Sequence, residues 1–246
     1  MREENRRPLF LIPRESGLVR SQPAGVTPFG SGTMKVFFMC GYYSDMAHAK
    51  VERTPDYWDA YRFCLAVHTG QFEKPFYIHT QNDKIRIGPE NIGLARRAYG
   101  QFIAKRIAEE TSWSNPVLIP IPSEDALLTA TEFRSWLMLT EALALNELKW
   151  ALVDALFWTV PPSASFKDAP RNQRDAIAEV MTCDFPVRGQ AVVLVDDLFS
   201  TGTILLAARQ RLTAEGAVVL GAITCGRVID DFTAKPFGLQ ETWLDE

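Results

Sequence analysis

Cysteine is scarce in this chain: Cys40, Cys64, Cys183 and Cys225 are the four in 246 residues, and no two share a C-x-x-C spacing. Zinc ribbons and redox pairs need that spacing, so the thiols read as free and buried or half-buried in a reducing cytosol. The three histidines, His48, His68 and His79, all fall in the N-terminal part without ligand spacing and read as incidental. No apolar run reaches bilayer length, and the N-terminus lacks a signal-peptide core, which leaves a cytoplasmic protein with no membrane partner. Excess positive charge is missing as well. A net charge of −4 at pH 7 gives no reason to expect a nucleic-acid surface. There is no Gly-x-x-x-x-Gly-Lys-Ser/Thr segment, which excludes a P-loop NTPase.

What is present is organised around residues 191–224. The unbroken apolar run at 191–195, with three valines, reads as a buried parallel strand. A Leu/Ala-rich helix follows over 205–216 with Gly216 as its C-cap, and 217–224 reads as a second buried strand. This β-loop-α-β unit takes a right-handed crossover and carries Asp196 and Asp197 at the carboxyl end of its first strand, where open α/β sheets bind ligands. A receiver-type acidic pocket would want its acids and a phosphoacceptor on separate strands early in the fold, which this chain does not offer. Ser200, Thr201, Gly202 and Thr203 form a small hydroxylated loop at a helix start, where orphan amides and the helix dipole make an anion site. Acids beside a phosphate need another task, such as binding vicinal sugar hydroxyls or a hydrated Mg²⁺. Together these features describe a ribose 5-phosphate pocket.

The run Val-Val-Leu-Val-Asp-Asp-Leu-Phe-Ser-Thr-Gly-Thr at 192–203 resembles the phosphoribosyl diphosphate (PRPP) signature of type I phosphoribosyltransferases. The resemblance implies that Asp196 and Asp197 contact the ribose hydroxyls, with Mg²⁺ held directly or through ribose or water. Ser200, Thr201, Gly202 and Thr203 would wrap the 5-phosphate. Where the family usually has Thr or Ser two residues past the glycine, this chain has Ile204. A shorter likeness is Pro-Ile-Pro-Ser at 120–123, after a strand over 116–121, which resembles the loop of ComF-like members and implies a pyrophosphate contact at Ser123 and the following amides. Glu124 and Asp125 are acidic where a basic residue would help. They read otherwise as first-turn acids of a helix from Ala126 through Phe133, Trp136, Leu137, Leu139 and Leu143. The family's mobile active-site loop falls at about 163–174, which makes Lys167, Arg171 and Arg174 candidates for the pyrophosphate; the alternative is an ordinary surface loop.

Elsewhere, residues 1–33 read as a poorly ordered leader, and Met34 just before a strand-like 35–43 is an alternative start. Residues 34–90 read as an N-terminal subdomain with a helix over 56–67 and a hairpin of 76–79 with 84–87. Its many aromatics either stack a flat acceptor, as a hood would, or form a small aromatic core. Residues 91–230 form the core, opening with an amphipathic helix marked by Ile92, Ala95, Tyr99, Phe102, Ile103 and Ile107 and including a strand over 150–160. The tail, 231–246, carries Phe232, Phe237 and Trp243, which pack on the body or cap a base pocket.

The expected fold class is α/β, with a central, mainly parallel sheet and flanking helices. The implied reaction transfers 5-phosphoribosyl from PRPP to a nitrogenous base and releases pyrophosphate, with Mg²⁺ as cofactor and PRPP and a small-molecule acceptor as partners. Dimers are common in the family. No residue can be assigned as acid or base for the acceptor. A non-catalytic PRPP or nucleotide sensor is the alternative, and a partner-binding protein on a relict fold is a third. Ile204→Thr should tighten PRPP binding in titration calorimetry if the absent hydroxyl is the weak contact; no gain would assign that role to Thr203.

Overall fold

The computed structural model describes residues 32–79, 83–144, 150–162, 173–230 and 234–245. Its centre is a five-stranded sheet of β1 (Thr33–Tyr43), β4 (Val117–Pro120), β7 (Ala191–Phe199), β8 (Val218–Ile229) and β9 (Phe237–Asp245), ordered β4-β7-β8-β1-β9. The first four strands in that order run parallel, and β9 closes the edge antiparallel to β1. Helices α2 (Pro55–Thr69), α3 (Gly93–Glu109), α4 (Arg134–Leu143), α5 (Gln173–Val180) and α6 (Thr203–Ala214) cover the faces, and a short α1 (Asp45–His48) follows β1. The chain is therefore an α/β protein with a mainly parallel central sheet. No helix among the described residues is long and apolar enough to cross a membrane.

The apolar run in β7 is buried on both sides, as a central parallel strand requires. Val193 and Val195 pack in one cluster with Phe63 of α2, Tyr99 and Ile103 of α3, and Met138 and Leu139 of α4. Val192 and Leu194 pack in the other with Leu205, Ala208 and Leu212 of α6. In α3 the buried residues Ala95, Tyr99, Ile103 and Ile107 repeat every four positions, the stripe that the sequence pattern predicts. Two two-stranded sheets complete the structure: β2 (Phe76–His79) with β3 (Lys84–Ile87), and β5 (Leu156–Trp158) with β6 (Met181–Cys183). Cys40, Cys64 and Cys225 are buried and Cys183 half-buried, all as free thiols.

Three sequence expectations need correcting. First, β1 does not belong to a subdomain apart from the core, because it is hydrogen-bonded between β8 and β9 in the central sheet. Its apolar residues Val36, Phe37, Phe38 and Cys40 are buried on both faces, the pattern of an inner strand. The tail likewise contributes β9, registered on β1 from Thr33↔Asp245 to Cys40↔Phe237. Second, the helix expected from Ala126 starts at Arg134, after an extended Phe133 (φ −150, ψ 157). Asp125 is held in the loop by the Ser123 hydroxyl and accepts from the Arg134 amide, so it serves the helix from outside its first turn. Third, the strand expected over 150–160 is reduced to β5 and an isolated bridge, Leu118↔Leu152.

Strand β8 approaches β1 closely at Gly221. A Cβ there would lie 2.6 Å from Trp113 Cζ2 and 2.8 Å from the Lys35 carbonyl oxygen. The backbone oxygen cannot yield without disturbing the ladder. Gly221→Ala should lower unfolding free energy by about 1–3 kcal/mol, measured from urea midpoints; an unchanged midpoint would contradict this packing.

Candidate active site

Because β4 and β7 are adjacent and parallel, the loops after them leave the same edge of the sheet. Strand β7 continues past its acids, with Asp196↔Thr224, Leu198↔Gly226 and Phe199↔Arg227 still in register with β8. Asp197 follows Val193 and Val195 on the side of α2 and α4, and is only 4% exposed. Asp196 is half-buried.

A buried carboxylate needs partners, and Asp197 has three. Its Oδ2 lies 2.6 Å from Nδ1 of His68 and accepts from Nη1 of Arg134. Its Oδ1 accepts from the Leu198 amide at 2.7 Å. The same Nδ1 lies 2.9 Å from Nη1 of Arg134, so it faces an acceptor and a donor at once, and the tautomer decides which of the two it serves. Arg134 also donates to the His68 carbonyl oxygen at 3.2 Å, which ties the end of α2 to the start of α4. Burial works to raise the Asp197 carboxyl, but the His68 hydrogen bond and the Arg134 charge outweigh it and lower it to about 2. At Asp196 the Arg134 charge and the Asp197 amide lower the carboxyl less than the opposing effects raise it. Burial, and then the neighbouring Asp197 charge, push it well above the ordinary carboxylate range. Its Oδ1 accepts from the Asp197 amide at 2.9 Å, and the buried Tyr99 hydroxyl lies 2.5 Å from its carbonyl oxygen.

The hydroxylated loop comes next. Gly202 is left-handed (φ 79, ψ 6) and occupies the N-cap of α6, where it has no side chain to cap with, and the Thr203 amide donates to the Thr201 hydroxyl oxygen at 3.4 Å. The loop thus meets the positive end of a 12-residue helix. Thr201 and Thr203 bring their hydroxyl oxygens within 2.7 Å of each other. Ser200 and Thr201 are exposed, and Ile204 is 41% exposed on the first turn. Gly202 answers a second demand too. A Cβ there would lie 2.3 Å from Cδ1 of Leu244, so strand β9 packs against the loop where a side chain would otherwise stand.

The loop after β4 is fixed internally. Ser123 is buried; its Oγ donates to Asp125 Oδ1 at 2.6 Å and accepts from the Ser135 amide at 3.0 Å, while its own amide donates to Ser135 Oγ at 3.2 Å. Asp125 Oδ2 accepts from the Arg134 amide at 2.9 Å, so this acid does serve the start of α4, from nine residues upstream. The Trp158 indole donates to the Ser123 carbonyl at 3.0 Å. The Ser123 side chain is committed in this arrangement, and the group the loop presents is Arg134.

Asp196, Asp197, Ser200, Thr201, Gly202 and Thr203 therefore follow one another at one sheet edge, joined through Arg134 to Ser123. Arg174 lies elsewhere, lining a groove of about 230 Å³ with Leu206, Arg209, Gln210 and Thr213 of α6. Lys167 and Arg171 fall outside the described residues. His68 and Arg134 escaped the sequence reading because 129 and 63 residues separate them from Asp197. One signal was available for Arg134: a cation in the first turn of a helix opposes the dipole and calls for a carboxylate.

Fold and site together define an α/β protein with an acidic pair and a helix N-terminus at the carboxyl edge of a mainly parallel sheet. No protein-family profile matches the sequence, and no curated protein matches it. Among solved structures the chain is similar to adenine phosphoribosyltransferase from Leishmania donovani, at 16% identity over 69% of this chain and 81% of that one, with a TM-score of 0.36. The Leishmania tarentolae adenine phosphoribosyltransferase gives 17% identity over 66% and 85%, with a TM-score of 0.34. An allosteric regulatory enzyme of purine biosynthesis gives 18% identity over 55% of this chain, with a TM-score of 0.32, and the match spans 26% of that enzyme.

The two acids should affect stability in opposite directions. A lowered carboxyl stabilises the fold above its ordinary 3.8 and loses that contribution as pH falls toward about 2, worth about 2 kcal/mol. A raised one, as at Asp196, opposes folding once pH rises through its ordinary value. At pH 7, Asp197→Asn should lower unfolding free energy by about 2–4 kcal/mol, and Asp196→Asn should raise it. Equal losses in urea unfolding would remove the assignment of opposite roles.

Proposed function

We propose that this chain binds PRPP at the carboxyl edge of β7 and β4 and transfers its 5-phosphoribosyl group to a nitrogenous base, releasing pyrophosphate. The observation that carries the reading is the start of α6 behind a left-handed Gly202, in a loop of small hydroxylated residues five residues past Asp197. Amides there take the 5-phosphate without any lysine or arginine in the loop. The acids immediately before the loop reach a sugar attached to that phosphate. Asp196, with one oxygen not engaged by the Asp197 amide, is the first ribose contact.

Arg134 supplies the cation for the departing pyrophosphate. It stands between the two loops, about a third exposed, and its guanidinium needs only to turn from Asp197 toward the leaving group. That turn frees Asp197 for a ribose hydroxyl, so substrate binding exchanges one partner for another on both residues. Mg²⁺ enters this reading on the diphosphate of PRPP, whose oxygens bind it without the acidic pair.

A second reading, a PRPP sensor without turnover, is favoured by the hold of His68 and Arg134 on Asp197. The two readings are separated by pyrophosphate release from Mg²⁺·PRPP with pooled purine and pyrimidine bases, beside thermal shifts with PRPP alone. The enzyme reading expects base-dependent release, reduced about 10²–10³-fold in Arg134→Gln, and a PRPP-dependent rise in Tm that vanishes in Asp196→Asn/Asp197→Asn. A rise in Tm without release identifies a sensor. Neither signal removes both readings.

A further inference from the structure

We infer that Asp56 and Asp59 of α2, with His79 of β2, form a site for a divalent transition metal ion of the zinc type. Asp56 and Asp59 are three residues apart on one face of the first turns of α2. Nε2 of His79 lies 3.1 Å from Asp59 Oδ2 and 3.7 Å from Asp56 Oδ1, and all three donor atoms fall within 4.8 Å of one another. Metal–ligand bonds of about 2.1 Å in tetrahedral geometry set donor atoms about 3.4 Å apart. The two nitrogen–oxygen separations bracket that edge, so an ion fits between the donors with small side-chain movement.

The donor set points to the class of ion. One imidazole and two carboxylates suit Zn²⁺ or Co²⁺, whereas Mg²⁺ and Ca²⁺ prefer oxygen alone and softer ions prefer thiolate. His79 is also oriented in advance. Its ring stacks on Phe237 of β9, with centroids 4.7 Å apart and planes 18° from parallel, and the Nε2 edge turns to α2. The side chains of Asp59 and His79 are 13% and 16% exposed, while Asp56 is 53% exposed, which leaves the outer side of the site open to a water ligand. The site belongs to the opposite end of α2 from His68: Asp56 precedes it by twelve residues, about 18 Å of helix.

One cation already competes. Lys84 Nζ lies 3.4 Å from Asp56 Oδ1, with its side chain 59% exposed. A pair this exposed holds weakly, and an ion with two further ligands displaces it. The same contact gives the site a signature that a simple ion-pair cluster would not show, because removing Lys84 must strengthen metal binding.

The test is titration of the full chain with Co²⁺, followed by visible absorption, with Zn²⁺ as displacing ion. Expected are one equivalent bound, the intense bands of a four-coordinate ion, at least about tenfold weaker binding in His79→Gln and in Asp59→Asn, and tighter binding in Lys84→Gln. No stoichiometric binding by the unaltered chain overturns the site, as does binding untouched by both His79→Gln and Asp59→Asn. Should those two variants fail to fold, Lys84→Gln decides: a gain supports the site and no change overturns it.

Discussion

A charge set into the wall of an apolar core has to be neutralised on the spot, and Asp197 is that charge. It continues the inward row of Val193 and Val195, where another apolar side chain would complete the packing. Leaving the carboxylate unpaired there would cost several kcal/mol. Its neutralisation by His68 and Arg134 dictates how α2 and α4 meet β7: the last turn of one helix and the first residue of the other must both reach the same oxygen. Arg134 accepts an unfavourable place in the dipole of its own helix to do so, and the Asp125 carboxylate at its amide offsets part of that. One side chain on one strand thereby sets the arrangement of two helices and a loop.

The opposite face of β7 obeys a different constraint. The turn after Phe199 must reverse the chain into α6, and it must also make room for Leu244. Gly202 meets both needs because its φ lies where side chains are disfavoured and because no Cβ stands in the way of β9. The last strand in the chain is therefore part of the setting of the loop, although it pairs only with β1.

Much of this could be read in the sequence, and the limits are instructive. The β7-loop-α6-β8 unit was legible because its signals are local: a continuous apolar run, a glycine in a hydroxylated turn, a helical stripe and Gly216. The α3 stripe was legible for the same reason. What failed was long-range. Nothing local tells an inner strand at residue 33 from the first strand of a small subdomain, since β1 earns its place only by pairing with a strand some 185 positions later, as in Val36↔Ala222. The start of α4 was misread because Glu124 and Asp125 look like first-turn acids. Asp125 does serve that helix, but across an intervening loop. His68 had no neighbour in sequence to give it away.

The electrostatics of the edge bear on what it can bind. Arg134 and Asp197 cancel each other, and Asp196 is pushed toward its neutral form, so the walls of the site carry little net charge before a ligand arrives. An anion is then attracted chiefly by fixed dipoles, the amides at the start of α6, which cost no reorganisation when it binds. A ligand that brings more negative charge than the amides can satisfy would recruit Arg134, and recruiting Arg134 takes one of the two cationic or donor side chains from Asp197. A hydroxyl-bearing sugar repairs that loss by donating to the freed carboxylate, whereas inorganic phosphate alone does not. Under the proposed function, a molecule that carries both a phosphate and a diol is thus favoured over either part taken separately.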